Sequence, residues 1–599
     1  MPRKVKRKNN TNLNFDWSGY QKAIFKFIET GTGHLVVEAC AGSGKTVVLV
    51  KCLDFISSDK RVLFTAFNRD IVKELEKKTR GHDNVEVRTL HGVGLKMLKK
   101  NFPNSQLVPD EYKYVSHIKS HISMYSEINT FALKKGELAK YIDNIKKYVD
   151  FGRVYLCQVE KDLDMIEERY GIDTLGDEKS VAIKIMEWGK TELDVIDYTD
   201  MIWLPHVLYA KPYGMQYDYI FVDECQDMNM AERELMLKCF KMGTRLTCCG
   251  DENQCLYSFS GGDPNSFKTL KSLPNTTCLP LSISYRCPKN IVKFANRLVP
   301  QIEWNPDNEI EGEIKKDIQL SDIGDNDMVL CRNNAPLVYA YNEFIKMGKK
   351  ATIRGKEFAN ALKSTIRSSK SDELNINLTK SGLFVSLYDN LFNTRDKLMR
   401  QHNIDKETAM RSPIIENKLD IIKTLEVLSD GINTRDELIE RVEEVFPKKS
   451  KNEGISLSTV HKAKGLEADN VCIICPSLMP SKSAKQKWEI MQEKNLMYVA
   501  YTRAKKKLCF VDETGFTNLF NQKVGKGDDF LNKVEEKVNK VLGKTTKVII
   551  NESTAKTIIQ NASNIKLPQP KTRTIDINDK KKETSLSGMF SRKKIKRKK

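Results

Sequence analysis

Long apolar runs are missing from this chain of 599 residues. No stretch approaches the ~20 apolar residues that a helix needs to cross a bilayer, which argues against a membrane protein. The first ten residues, MPRKVKRKNN, are basic but lack the apolar segment of a secretory signal. The sequence therefore predicts an intracellular protein with no membrane partner. Its basic end, SRKKIKRKK, predicts a nuclear location in a eukaryotic host, and otherwise the protein is expected to be cytoplasmic, nucleoid-associated or viral.

Paired cysteine knuckles with metal-ligand spacing are also missing. The 14 cysteines are scattered, and a single CxxC, Cys472 and Cys475, lies in the strand-like run NVCIIC. Residues three apart in a strand point to opposite faces, so this pair is predicted to be core cysteines rather than a metal site. Reduced thiols are typical of an intracellular protein.

Positively charged residues outnumber negatively charged ones. The chain carries 99 Lys and Arg against 79 Asp and Glu, a formal net charge of +20. Such an excess favours a polyanionic partner such as nucleic acid, because neutralising phosphates releases counterions. A solvated surface with two basic tails would give the same composition, so charge alone leaves both readings open.

Residues 34–51, HLVVEACAGSGKTVVLVK, run from an apolar strand through a glycine loop into a helix. Glycines let backbone N–H groups point at an anion, and the helix N-terminus adds partial positive charge. In this pattern Lys45 reaches the β- and γ-phosphates and the Thr46 hydroxyl ligates Mg²⁺. Ala39 stands where the motif usually has its first glycine, and an ordinary glycine turn would read similarly. The loop residues predicted to bind the nucleotide are Ala41, Gly42, Ser43, Gly44, Lys45 and Thr46.

A second stretch, YDYIFVDECQD (217–227), is predicted to be a buried strand that ends in carboxylates. The carboxyl ends of parallel strands face the ligand crevice of an α/β sheet. Asp223 can hold Mg²⁺, directly or through water, and Glu224 can take a proton from the water that attacks the γ-phosphate. Alone, the two carboxylates could be surface charges at the end of a strand. Because they follow a phosphate loop, they favour a nucleoside triphosphatase.

A third stretch, TRLTCCGDENQCLYSFSGG (244–262), is a predicted strand followed by polar and aromatic residues. The Gln254 amide could sense the γ-phosphate. Tyr257 and Phe259 could offer ring faces for base stacking, worth about 1–3 kcal/mol per base. Core packing is the alternative for an isolated aromatic pair.

Together these stretches resemble the UvrD/Rep family of superfamily 1 DNA helicases, which move 3′ to 5′. LSISYRCPKNIVKFAN (281–296) is similar to the family's arginine motif, STVHKAKGLEADNV (458–471) to its TxHxxKGLE motif, and EKNLMYVAYTRAKKKL (493–508) to its final YVAxTRA motif. These motifs occur in the family's order over residues 16–511.

The resemblance implies a role for each matching residue at the nucleotide. Gln21 matches the glutamine that reads adenine, and Tyr285 matches the aromatic residue that stacks on the base. Arg286 and Arg503 match arginines that contact the γ-phosphate from the opposite core. Glu467 matches the acid near the ribose.

The resemblance also implies a DNA-binding side. The segments RVLFTAFNRDIVKEL (61–75) and VRTLHGVG (87–94) match family motifs on that side. A lone histidine is more often a structural residue than a ligand contact. For His91 and His461, a structural role and a DNA contact therefore both stay open. The residues predicted to contact DNA are Phe67, Asn68, Thr89, His91, Tyr257, Phe259 and His461.

The predicted fold is α/β, with two RecA-like parallel-sheet cores that form an ATP cleft and a mainly helical insertion in each core. The charged, helix-patterned segments between the motifs indicate where the insertions lie. The predicted division is a basic tail at 1–13, a first core at 14–99 and 200–280 with an insertion at 100–199, a second core at 281–362 and 454–512 with a reduced insertion at 363–453, and a basic, largely disordered tail at 513–599.

The predicted function is that of an ATP- and Mg²⁺-dependent helicase that moves 3′ to 5′ on single-stranded DNA and unwinds duplex in replication, repair or recombination. The expected partners are single-stranded DNA, duplex junctions and other replication or repair proteins. The short second insertion keeps an alternative open, a translocase that removes bound proteins with little unwinding. An RNA substrate and a binding scaffold without ATPase activity are further alternatives, although the nucleotide motifs show no degeneration.

Overall fold

The computed structural model describes residues 16–66, 69–133, 135–172, 174–256, 261–263, 265–368, 371–447, 454–516 and 527–544. These residues build two six-stranded sheets, and every strand pairing within them is parallel. This arrangement confirms the predicted α/β class with two cores. Among the described residues, none of the helices is long and apolar enough to pass through a membrane.

The first sheet begins after an N-terminal helix. Ser18 caps that helix with a capping box, in which its side chain accepts from the Gln21 N–H while the Gln21 side chain accepts from the Ser18 N–H. The box fixes Gln21 at the start of the helix. The elements of this part are α1 (Gly19–Thr30), β1 (His34–Ala39), α2 (Lys45–Cys52), β2 (Val62–Thr65), α3 (Arg69–Lys78), β3 (Val85–Arg88) and α4 (Leu90–Asn101).

The first insertion, residues 108–196, is mainly helical. Its elements are β4 (Val108–Pro109), α5 (Lys113–Tyr125), α6 (Lys135–Val154), α7 (Asp164–Tyr170), α8 (Glu178–Thr191) and β5 (Val195–Ile196). Arg153 of α6 is fully buried and pairs with Asp197 at 2.8 Å and Asp200 at 2.9 Å, where the chain returns to the core. Buried charges persist only when they are paired, so this cluster fixes the insertion against the returning helix.

The returning chain completes the first sheet with α9 (Tyr198–Val207), β6 (Tyr217–Asp223), α10 (Met230–Lys238), β7 (Phe240–Gly250), α11 (Ser266–Lys271) and β8 (Thr276–Leu281). The strand order is β3-β2-β6-β7-β1-β8. All four residues of β2 are buried, as expected for a parallel strand covered on both faces. The carboxyl ends of β1 and β6 therefore bring the phosphate loop and the carboxylates to one edge. These elements form the first lobe.

The second lobe starts with β9 (Ile283–Ser284), α12 (Lys289–Ala295), β10 (Glu303–Trp304), β11 (Glu313–Ile318), β12 (Met328–Cys331), α13 (Asn334–Lys346) and β13 (Ala351–Ile353). A second insertion follows with α14 (Lys356–Ser368), α15 (Leu383–His402), α16 (Lys406–Met410), α17 (Pro413–Leu428) and α18 (Arg435–Val445). The lobe is completed by β14 (Ile455–Thr459), β15 (Ala468–Ile473), α19 (Lys487–Tyr501) and β16 (Ala504–Val511). Its strand order is β11-β16-β15-β12-β14-β13.

The two cysteines of the single CxxC are core residues, as predicted. Cys472 is 1% and Cys475 2% exposed. Their surroundings differ, because Cys472 lies beside Cys509 on the neighbouring strand whereas Cys475 lies beside Cys331 at the end of β12. The structure separates the two thiols rather than directing them at one ion.

The segment after 512 contains a helix where the sequence DDFLNKVEEKVNKVL (528–542) is helix-patterned. A helix, α20 (Gly527–Leu542), packs on the second insertion, where Val534 and Val538 join the core. Glu535 accepts two hydrogen bonds from Arg395 of α15. Apolar side chains four residues apart form the buried face of this helix. Residues 517–526 and 545–599 of the predicted tail lie outside the described residues.

Candidate active site

The phosphate loop connects β1 to α2 through two glycines in the left-handed region. Gly42 has φ +74° and Gly44 φ +79°, a conformation that strains any residue with a Cβ. Gly44 is the N-cap of α2, and no side chain caps the helix. The Ser43 hydroxyl is buried and has no hydrogen-bond partner among the described residues. Uncapped N–H groups and an unpartnered hydroxyl form a cradle that suits a phosphate.

Lys45 and Thr46 meet the two carboxylates at the end of β6. Lys45 Nζ lies 2.9 Å from Glu224 Oε1, and Thr46 Oγ1 donates to Asp223 Oδ2. Glu224 itself has φ +54°, a strained conformation for a non-glycine residue that turns it away from the strand. The four predicted residues therefore converge on one point in the first lobe.

Burial and charge shift the pKa values of this group. Burial would lower the pKa of Lys45, but the Glu224, Asp251 and Asp223 charges outweigh it and raise that pKa. Burial and the Glu224 charge raise the pKa of Asp223 to about 6. Burial would also raise the pKa of Glu224, yet Lys45 and Lys464 hold it at about 2. Glu224 is therefore the ionised partner of Lys45, and as long as they stay paired it is a weak base.

The residues fit a magnesium ion. Thr46 and Asp223 supply a hydroxyl and a carboxylate oxygen side by side, which are the donors that Mg²⁺ takes from phosphate-loop proteins. In the described part of the chain, no three His, Cys, Asp or Glu side chains are grouped as an all-protein metal cage.

Arg503 reaches the first lobe from the end of α19. Its Nη2 donates to Gln254 Oε1 at 3.1 Å, and Gln254 Nε2 donates to Asp251 Oδ2 at 2.6 Å. The Arg503 side chain is 1% exposed, and burial, with the nearby Arg286 charge, lowers its pKa to about 10. The structure thus brings Arg503 and Gln254 together across the cleft.

Tyr285 and Arg286 lie beside the phosphate loop. The Tyr285 N–H donates to the Gly42 carbonyl at 2.9 Å, and its hydroxyl donates to Gln21 Oε1 at 3.2 Å. Arg286 Nε donates to Glu467 Oε2 at 2.7 Å. These contacts bring Gln21, the phosphate loop and Glu467 to the region where the two lobes meet.

Three contacts across this cleft were not predicted from the sequence. The Ala41 N–H donates to the Tyr498 hydroxyl at 2.9 Å. Lys464 pairs with Asp227 and also donates to the Gln254 carbonyl at 2.7 Å. Each of these residues lies inside a motif given above. Its contact partner, however, comes from a distant part of the sequence and is seen only in the folded structure.

A methyl group on Gly42 is expected to disturb the junction of the lobes. A Cβ built there would lie 2.6 Å from Arg286 Cβ and 2.7 Å from Ser284 Oγ. We expect Gly42→Ala to lower kcat/KM for ATP by about 10²-fold, the scale of a 1 Å misplacement in an active site. Gly44→Ala is the matched control, because it carries similar backbone strain but a Cβ there meets nothing within 4 Å. Equal losses in the two variants would contradict this account of the junction.

The residues predicted to contact DNA are only partly described. The Thr89 hydroxyl caps α4 by accepting from the Gly92 N–H at 3.1 Å, and His91 Nδ1 lies 3.5 Å from Glu232 Oε1. Burial lowers the pKa of His91, and burial with the Arg332 charge lowers that of His461 to about 3, so both rings are neutral at pH 7. These positions follow β3 in the first lobe and β14 in the second. Phe67, Asn68, Tyr257 and Phe259 lie outside the described residues.

The sequence on both sides of this cleft matches known protein families. The UvrD/REP helicase N-terminal domain matches residues 20–274, and the UvrD-like helicase C-terminal domain matches residues 340–513. The chain is 22% identical to the ATP-dependent DNA helicase PcrA of Bacillus subtilis over 82% of each chain. It is 24% identical to the ATP-dependent DNA helicase Rep of Buchnera aphidicola over 45% of this chain and 43% of that protein, and 24% identical to Rep of Escherichia coli over 47% and 42%.

The alignments with the two Rep proteins thus span less than half the length of those relatives, whereas the alignment with PcrA spans about four-fifths. The two family matches lie on either side of the cleft and include both the phosphate loop and Arg503. The chain therefore belongs to the UvrD/Rep family of superfamily 1 helicases.

Proposed function

We propose that the protein is an ATP- and Mg²⁺-dependent motor that translocates 3′ to 5′ on single-stranded DNA and unwinds duplex. The observation that carries the proposal is the meeting of Arg503 with Gln254 across the cleft, at 3.1 Å, beside the pair formed by Lys45 and Glu224. The relatives named above are ATP-dependent DNA helicases, which supports DNA as the substrate.

In the proposed cycle the triphosphate replaces Glu224 as the partner of Lys45. The pKa of Glu224 then rises, because the positive charge that held it at about 2 is shared with phosphate. Glu224 becomes a better base for the attacking water. Thr46 and Asp223 would hold Mg²⁺, which supplies positive charge to the phosphate oxygens.

The second lobe completes the site only when the cleft is closed. Arg503 and Arg286 then place two positive charges where negative charge develops on the phosphate. Tyr285 is proposed to stack on the adenine, and Gln21 to read its edge. Because the arginines belong to the lobe that moves, hydrolysis and closure are coupled, and the coupled movement is what would advance the strand.

A second candidate is a translocase that clears proteins from DNA with little strand separation. The size of the second insertion favours it, because the described helices between β13 and β14 occupy only residues 356–445. A strand-displacement assay run beside the removal of a protein block from single-stranded DNA separates the two candidates. Block removal without displacement would favour the second.

The test of the proposal is ATP hydrolysis with and without single-stranded DNA, followed by unwinding of duplexes with a 3′ or a 5′ overhang. We expect DNA to stimulate hydrolysis and only the 3′ overhang to support unwinding. Single-stranded RNA of the same sequence is the control for polymer choice. Hydrolysis that no nucleic acid stimulates, or unwinding from a 5′ overhang alone, would contradict the proposal.

A further inference from the structure

A further contact between the two halves of the protein lies away from the phosphate loop. Arg169 of α7, in the first insertion, places its guanidinium 5.4 Å from the ring centre of Trp488 at the start of α19. Cations over an indole face at this distance are attracted by the ring. This contact joins the first insertion directly to the second lobe.

Arg169 also contacts aromatic rings of its own insertion, which position it beside Trp488. Its guanidinium lies 5.9 Å from the ring of Tyr155 and 5.7 Å from that of Tyr170. Tyr170 stacks on Phe151 at 3.9 Å with nearly parallel planes, and the Tyr155 and Tyr170 hydroxyls are 3.1 Å apart. The insertion therefore supplies a fixed aromatic platform, and Trp488 is the ring that comes from the other lobe.

The Arg169 guanidinium is partly shielded from solvent in this arrangement, and it also interacts with the Tyr170 side chain. Nε and Nη2 of Arg169 are shielded from solvent and have no hydrogen-bond partner among the described residues. Shielded donors without an acceptor carry a desolvation cost, which the neighbouring ring faces partly offset. Separation of Trp488 from Arg169 returns these donors to water, so the contact is suited to forming and breaking repeatedly.

The helix that carries Trp488 also carries the contacts with the nucleotide loop. Tyr498 of α19 accepts from the Ala41 N–H, and Arg503 follows the end of the helix. Between these ends, Asn495 and Gln492 donate to backbone carbonyls of the first lobe at Cys255 (3.1 Å) and Leu256 (2.6 Å). From Trp488 to Tyr501 the helix is about 20 Å long at 1.5 Å per residue. One rigid element thus touches the phosphate loop at one end and the first insertion at the other.

We propose that Arg169 and Trp488 form a closure-dependent bridge, by which α19 transmits closure of the nucleotide cleft to the first insertion. The proposal rests on the proposed motor function and adds positioning residues to it. When the lobes part, the Tyr498 and Arg503 contacts break, and the same movement of α19 withdraws Trp488 from Arg169. When the lobes close, Trp488 contacts Arg169 again. The position of the first insertion then depends on whether nucleotide is bound.

The first test compares ATP use with movement in the full-length protein. We expect Arg169→Ala and Trp488→Ala to keep DNA-stimulated kcat for ATP within about twofold, but to slow displacement of streptavidin from the 5′ end of single-stranded DNA by about fivefold, the scale of one partly buried cation–π contact. Trp488→Phe, which keeps a ring face, should restore most of the movement. Arg367→Ala, an exposed arginine of α14, is the matched control and should move normally.

The double variant decides whether the two residues act together. Arg169→Ala combined with Trp488→Ala should be no slower than either single variant, because both remove the same bridge. Additive losses, or normal coupling in Arg169→Ala, would overturn the bridge. A wild-type protein without DNA-stimulated hydrolysis or movement would instead overturn the motor function.

A second measurement needs neither DNA nor turnover. Binding of a non-hydrolysable ATP analogue should change the tryptophan emission of the wild-type protein, and Trp488→Phe and Arg169→Ala should each remove most of that change. Arg367→Ala should keep it. An emission change that survives in both bridge variants would overturn the proposal even if movement were impaired.

Discussion

Lys45→Ala is expected to lower ATP turnover by about 10³-fold or more, since it removes the buried cation nearest to the developing phosphate charge. Lys45 Nζ lies 2.9 Å from Glu224 Oε1, and three carboxylates act on the pKa of Lys45. Removing it leaves Asp223, Glu224 and Asp251 close together without that compensation, which also opposes binding of a polyanionic substrate. Steady-state hydrolysis with saturating single-stranded DNA measures the loss.

The matched control is Lys51→Ala, on the same helix. Lys51 is partly exposed and pairs with Asp54 at 2.9 Å, so its loss should leave turnover unchanged. Thermal unfolding of both variants shows whether the Lys45 variant is folded. Normal turnover in a folded Lys45→Ala protein would remove the phosphate loop from the mechanism.

Arg503→Ala is expected to lower kcat by about 10³-fold, as for an arginine finger that acts in the transition state. The side chain is 1% exposed and donates to Gln254, so contact between the lobes fixes its position relative to the first lobe. Because its contribution is greatest in the transition state, kcat should fall far more than ATP affinity. Equilibrium binding of a fluorescent ATP analogue, measured beside kcat, separates the two effects.

Arg297→Ala provides the comparison for Arg503. Arg297 is an exposed arginine of the second lobe that lies 4.9 Å from the ring of Phe294, and its loss should not affect turnover. Arg503→Lys keeps the charge but not the planar guanidinium, so partial recovery is expected. If Arg503→Ala hydrolysed ATP at the normal rate, closure of the second lobe would have no part in catalysis.

Much of the cleft could be predicted because its residues stand in short contiguous motifs. Lys45 and Thr46 follow a glycine turn, and Asp223 and Glu224 end a buried strand, so strand order alone brings them to one edge of a parallel sheet. The resemblance of these motifs to the UvrD/Rep family implied the two-core fold. The boundaries of the predicted domains and the roles of the DNA-side residues stay predictions.

The contacts that join the lobes could not be predicted in the same way. Ala41 and Tyr498 are separated by 457 residues, and a backbone N–H carries no side-chain signal. Arg169 reads as one charge on an amphipathic helix, and only the fold shows Trp488 beside it. Similarly, the packing of α20 on the second insertion depends on Arg395, which lies 140 residues before its partner Glu535. These features are decided by tertiary packing rather than by local pattern.

The most direct test of the two-lobed site is a crystal structure of the protein with Mg²⁺, a non-hydrolysable ATP analogue and single-stranded DNA. We predict that Lys45 will contact the terminal phosphate from one lobe while Arg503 contacts it from the other, with Glu224 released from Lys45. A nucleotide bound elsewhere, or a terminal phosphate in the cleft that Arg503 does not approach, would contradict the account.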